Sequence, residues 1–167
     1  MTPDVNVLVA AFRPGHSHHR VARDWLTAAL EDCAVGGTLE ILPMIATGFV
    51  RLVTNKKAFP VADPVADALA FIRKILAVPG ASMPRLGREW AAFEKLCVDL
   101  DVWGSDISDA WIAAAVKANG LRLVTFDTDF ADLLDPSECL LLQARPAVQE
   151  RGASYVVRRM TRRRAVA

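Results

Sequence analysis

GSDISDAWIAAAVKANGLRLVTFDTDF, residues 104–130, decides how the rest of the chain is read. Asp106 or Ser108 is placed to cap a helix, and Asp109 falls in its first turn, where unpaired N–H groups and the helix dipole favour a carboxylate. Ile112, Ala113 and Val116 recur at helical spacing. Asn119-Gly120 is a helix stop, because glycine enters the left-handed conformation of that cap without a Cβ clash. Residues 121–126, LRLVTF, are short, apolar and β-branched enough to form a buried strand, and Asp127 and Asp129 follow where it ends. The unit thus sets carboxylates at a helix start and at a strand end. In an open parallel sheet, strand ends are where sites form.

Outward from this unit, residues 4–11, DVNVLVAA, are apolar except for Asp4 and Asn6. The strand there is either very short or runs through Val9, with Asp4 within it or near its end. Pro14-Gly15 marks a turn, and residues 17–34 read as an amphipathic helix with Val21, Trp25, Ala29 and Cys33 at four-residue spacing. Gly36-Gly37 breaks it, residues 38–44 are the second strand candidate with Pro43 at its end, and 45–55 read as a helix with Phe49, Leu52 and Val53 inward. Asp63-Pro64 starts a helix that runs to Val78, and 87–100 form another with Trp90, Phe93, Leu96 and Cys97 on one side. A short helix follows Asp127, and 139–143 form a last strand. Strands separated by helices predict an α/β fold, with a mostly parallel sheet of four or five strands covered by helices on both faces.

A chain of 167 residues suits one domain with a real core and is too short to expect two. The expected division is a domain over 1–144 and a basic tail over 145–167. Apolar content is 53% and aromatic content only 7%, so the core is expected to be mainly Leu, Val, Ile and Ala. No apolar run reaches the length of a membrane helix, and no signal peptide is visible. Cys33, Cys97 and Cys139 make no zinc or redox spacing and read as buried thiols in a reducing cytoplasm. The net charge of +1 hides an asymmetry: from Arg145 onward, seven arginines face Glu150 alone, a net of +6 that leaves −5 in the rest. An acidic body with a basic tail suggests an anionic partner reached through the tail.

Asp4, Asp109, Asp127 and Asp129, with Asp106 as a fifth candidate, are the chemistry-bearing set. Carboxylates are hard oxygen ligands suited to Mg²⁺ or Mn²⁺, and clustered carboxylates repel one another unless a cation or protons intervene. Such metals activate water and stabilise the leaving oxygen in phosphodiester hydrolysis. Taken singly, each acid is equally an ordinary cap or loop residue; the joint placement at element ends carries the functional reading.

The ordered pieces DVNVL at the N-terminus, HxxAxxWL over 19–26, GFVRLVTN over 48–55, SDAWIAAAVKANG over 108–120 and VTFDTDF over 124–130 resemble the PIN-domain ribonucleases of the VapC toxin type. The resemblance covers most of the chain to about residue 135. It implies a three-layer α/β/α sandwich, Mg²⁺- or Mn²⁺-dependent RNA cleavage, a cognate VapB-like antitoxin and a homodimer. By position, it implies that Asp4, Asp109 and Asp127 are metal-site acids, with Asp129 an auxiliary ligand or organiser. The family usually carries a glutamate two residues before the glycine of GFVR, where this chain has Ala46. The expectation is a missing metal-site carboxylate and an inactive or attenuated enzyme. The intact motif around Ala46 favours a deliberate exchange over natural decay, and Glu40 lies on the preceding strand candidate.

His16, His18 and His19 suggest a metal cluster, but a local cap or packing role fits their place before a helix better. Arg51 is a candidate for RNA phosphate contact or an exposed helix charge. The tail arginines, Arg158 and Arg159 among them, read as RNA-binding, partner-binding or a disordered end. Trp25 and Trp90 fit core stripes, while Trp103 and Trp111 stay open between packing and base stacking. Thr125 reads as a strand residue that also helps hold the site. Two other function classes compete. One is a non-catalytic PIN scaffold that binds antitoxin or RNA. The other is a haloacid-dehalogenase-like phosphatase, which would want an aspartate where Asn6 stands.

Overall fold

The apolar run after Asp4 is a helix, and the strand before it is only β1 (Thr2–Pro3). This computed structural model describes residues 1–143. The expected boundary at 144, and the tail with Arg158 and Arg159, lie outside the described residues. Asp4 caps α1 (Val5–Phe12): its Oδ1 accepts from the Val5 N–H at 2.6 Å, satisfying one of the donors that a helix start leaves orphaned. Val7, Leu8, Val9, Ala10 and Ala11 are all at most 3% exposed, so α1 is surrounded and shows no polar face. Burying each Val or Leu stabilises the fold by about 1.5–3 kcal/mol.

The chain continues through α2 (His19–Cys33), β2 (Leu39–Glu40), α3 (Pro43–Val53), α4 (Val65–Leu76), β3 (Ala81–Ser82) and α5 (Trp90–Asp99). The described residues close with α6 (Asp106–Ala118), β4 (Leu123–Thr125), a 3₁₀ turn (Thr128–Asp132) and β5 (Cys139–Leu141). Pro43 occupies the first turn of α3, where its missing N–H costs nothing, so the preceding strand stops sooner than its apolar run suggests. Pro64 takes the cap position of α4, which frees the Asp63 carboxylate for an ion pair with Arg13. Ser105 sits at the cap of α6 without a capping side-chain bond, its Oγ donating to the Asp106 carboxylate at 3.1 Å instead, so neither Asp106 nor Ser108 is the cap. Gly120, at φ +60°, terminates that helix as its sequence predicts.

β1, β4 and β5 form one parallel ladder, and β2 pairs in parallel with β3. Two backbone bonds join the ladders: the Met1 amino group donates to Thr38 O at 3.3 Å, and Glu40 N–H donates to Met1 O at 2.9 Å. These bonds, both made by Met1 just before β1, set the two-stranded sheet β2-β3 against the three-stranded sheet β1-β4-β5, giving the spatial order β3-β2-β1-β4-β5. The sheet is flanked by helices in a three-layer α/β/α arrangement, with α1 against α2 and α3, α3 against α4, and α5 against α6. The strand at 81–82 is not foreseen, because two residues carry no periodicity. Cys33 is buried, but Cys97 and Cys139 are only half-buried. Among the described residues, no helix is long and apolar enough to cross a membrane.

Candidate active site

From β1 the chain winds outward to β2 and β3, then reverses to lay β4 and β5 on the other side. The reversal makes the gap between β1 and β4 a topological switch point, and crevices open there outside the carboxyl ends of the strands. Asp4 follows β1 and Asp127 follows Phe126 after β4, so both acids project from this one edge.

A hydrogen-bond network ties the two strand ends together. Thr125 Oγ1 donates to Asp4 Oδ2 at 2.7 Å and accepts from Asn6 Nδ2 at 2.9 Å and from the Asp127 N–H at 3.0 Å. Asn6 Oδ1 accepts from the Phe126 N–H at 3.2 Å, and Asp127 Oδ1 accepts from the Asp129 N–H at 3.0 Å. Asn6 thus holds α1 against β4, and Thr125 orients the Asp4 carboxylate. The role of Thr125 is the one its strand position suggests, while that of Asn6 does not show in the local sequence, because its partners lie some 120 residues away.

A cavity of about 920 Å³ opens beside this network. Asp4, Asn6, Ser108 and Asp109 line one part of it, and Met44, Thr47, Gly48 and Arg51 of α3 line another. Leu86 and Trp111 contribute apolar wall. Asp127 borders a second hollow, of about 310 Å³, with Thr128, Leu134 and Cys139. Asp129 and Asp106 are exposed.

The electrostatics unite the acids that the two hollows divide. Burial pushes the Asp4 carboxyl up to about 6, against the lowering effect of its bonds from Thr125 and Val5, and Asp127 adds repulsion. Asp109 is also raised to about 6, first by burial and then by the charges of Asp4, Asp127, Asp106 and Asp129. Asp109 thus lies in the field of the other four acids, and Asp4 in that of Asp127. Two carboxyls that resist ionisation at one cavity are what a bound cation would relieve.

The donors are of the right kind for a hard divalent cation. Among the described residues, however, no three acidic, histidine or cysteine groups are close enough together to cage an ion. A hard divalent cation needs no such cage when one or two carboxylates hold it and water fills the rest of its shell. The histidines take no part in such a group. His19 Nδ1 bonds Ala10 O at 2.8 Å, His16 Nδ1 accepts from the His18 N–H, and the His18 ring stacks on Phe126.

Ala46 packs against the core and is not part of the cavity wall. The α3 residues that face the cavity bring one cation, Arg51, and no carboxylate. Gly48 is required there by close approach: a Cβ would meet Val5 Cγ2 at 2.9 Å. Trp25 packs against the core as expected, but Trp90 is 55% exposed, so the stripe inferred for α5 is not a core stripe. The aromatic side of α5 meets α6 rather than the sheet, which an isolated periodicity cannot distinguish.

Residues 1–134 match the family described as PIN domain. The chain is 35% identical to ribonuclease VapC25 of Mycobacterium tuberculosis over 129 residues, which cover 77% of this chain and 89% of that protein. It is 36% identical to ribonuclease VapC43 of the same organism, again over 77% of this chain and 86% of the relative. The fold is that of the crystal structure of VapBC2 from Rickettsia felis bound to a DNA fragment from its promoter, with a TM-score of 0.60 and 15% identity over 85% of this chain and 98% of the other. With its parallel sheet and acidic switch-point cavity, this chain belongs to the PIN-domain family, alongside the VapC ribonucleases.

Proposed function

We propose that this protein is a divalent-metal-dependent endoribonuclease, the toxin of a toxin–antitoxin pair, acting in the cytoplasm with Mg²⁺ or Mn²⁺. The observation that carries the reading is the pair Asp4 and Asp109 at one cavity, both raised to about 6, in a chain about one-third identical to ribonucleases. When bound, the cation supplies Lewis-acid charge and acidifies water for phosphodiester hydrolysis. Asp4 and Asp109 are the proposed direct ligands. Asp127 and Asp129 would complete the anionic field around the cation and orient its ligands. Thr125 and Asn6 fix the Asp4 carboxylate, and Arg51 on the opposite wall attracts the phosphate backbone of RNA. Arg158 and Arg159 are proposed to extend that attraction through the tail.

The absence of a carboxylate on the cavity face of α3 supports attenuated catalysis. It also keeps a second reading open, a PIN scaffold that binds antitoxin or RNA without cutting. The test is cleavage of total cellular RNA with Mg²⁺, Mn²⁺ or EDTA, by the chain itself and by Ala46→Glu. Metal-dependent cleavage that rises on the order of a hundredfold in the variant, and that Asp4→Asn abolishes, is the expected result. Cleavage that survives EDTA or Asp4→Asn would overturn the metal site. A cognate antitoxin and a homodimer complete the reading.

A further inference from the structure

The start of α5 carries a buried acid that the acidic cavity does not use. Glu89 is only 3% exposed. Its carboxylate accepts from the Gly87 N–H at 2.7 Å and lies beside the side chain of Trp111. Trp111 stands on α6 two residues after Asp109, is 39% exposed, and forms part of the cavity wall. Its ring continues into a row: Trp111 to Phe93 at 6.0 Å and Phe93 to Trp90 at 5.3 Å, with Trp90 at the outer end. No residue of α5 is fully buried. A helix that buries so little and presents aromatic rings to solvent beside a reactive cavity is poorly explained as core.

We propose that Trp111, held by Glu89, is a base-stacking residue for single-stranded RNA, and that Phe93 and Trp90 carry the strand away from the cavity. The inference rests on the ribonuclease reading and deepens it by assigning the substrate's bases a place. Three points favour RNA as the occupant. The row is continuous with the acidic cavity through Trp111. Arg51 on the same cavity supplies the charge that a phosphate backbone needs. Tilted, exposed indole faces stack any base, which suits sequence-tolerant contact near a scissile bond. Trp111 is then a positioning residue, set beside the Glu89 carboxylate with its ring left accessible.

The test is fluorescence anisotropy of end-labelled single-stranded oligoribonucleotides in Mg²⁺, with the full chain carrying Asp109→Asn to prevent cleavage. Adding Trp111→Ala should weaken binding about tenfold, while Trp111→Phe should stay within about threefold of the parent. Moving one abasic position along the oligonucleotide should reveal a site at which parent and Trp111→Ala bind equally. Glu89→Ala should reproduce the loss, and Glu89→Gln, which keeps an acceptor, should not. Equal affinity of Trp111→Ala and parent for every oligonucleotide overturns the proposal. So does a loss that persists wherever the base is removed, since that marks a structural role. A Trp111→Ala protein that binds RNA normally but no longer holds the neighbouring antitoxin assigns the row to a protein partner instead. If metal-dependent cleavage of cellular RNA is seen and these outcomes fail, only the stacking assignment falls. If no version binds or cuts RNA, the ribonuclease reading falls with it.

Discussion

Asp109 is half-buried in the first turn of α6, and its charge is opposed by four neighbouring carboxylates. Its folded-state pKa of about 6 lies above the ordinary 3.8. A raised carboxyl favours folding while it is protonated and loses that contribution as pH rises through the folded value. In EDTA, Asp109→Asn should therefore gain on the parent between pH 4 and about 6 and hold a constant advantage above that. Solvent screening of this half-exposed group limits the gain to about 1 kcal/mol, or roughly 2–4 °C in Tm. Melting curves across pH check it, and an advantage that shrinks toward pH 7 would contradict the sign. Added Mg²⁺ or Mn²⁺ should raise Tm in the parent more than in the variant, because binding only the folded state stabilises it. The acids themselves are legible in sequence, because capping and strand-end positions are local features. Asn6 and Glu89 are not, since their work depends on partners brought near only by the fold, whereas Thr125 is expected from its strand position to help hold the site and does so.

Among the elements, α1 and α3 separate what periodicity can say from what it cannot. A run such as VNVLVAA, buried on all sides, has the same apolar texture as a buried strand, and only the cap at Asp4 marks a helix start. Leu8, wholly inaccessible at the centre of α1, should cost about 2–5 kcal/mol when changed to Ala, measured by urea unfolding. For α3, periodicity predicts the helix and its inward residues, but the facing of position 46 is visible only from the cavity. Ala46 packs on the core, whereas Thr47 lines the cavity one residue away. Thr47→Glu therefore provides a second route for a carboxylate to reach the acids. If it restores metal-dependent cleavage and Ala46→Glu does not, the missing acid belongs on the cavity face of α3. Gly48→Glu should restore less, because its Cβ first has to displace Val5.

For the whole molecule, alternation of helices and strands predicts the α/β class, and the switch point explains why acids distant in sequence share one field. The order β3-β2-β1-β4-β5 lies beyond such reasoning, since three of its strands are two residues long and are defined by their partners. Association belongs to the same scale. Val65 and Leu69 on α4 are 55% and 43% exposed, and Val98 and Leu100 around the end of α5 are 80% and 47% exposed. Apolar surface on two helices costs solubility unless something covers it. A homodimer together with an antitoxin would supply two such covers. Light scattering of the chain alone should give twice the monomer mass, and mixing with the antitoxin encoded beside it should give a larger complex. Leu69→Lys should lower the first mass to that of a monomer if α4 lies in the self-contact. The substitution leaves the fold intact because the side chain is already in water, so a stable dimer in this variant would move the interface elsewhere. A chain that remains monomeric and ignores its neighbour would count against the toxin assignment, even with the acidic cavity intact.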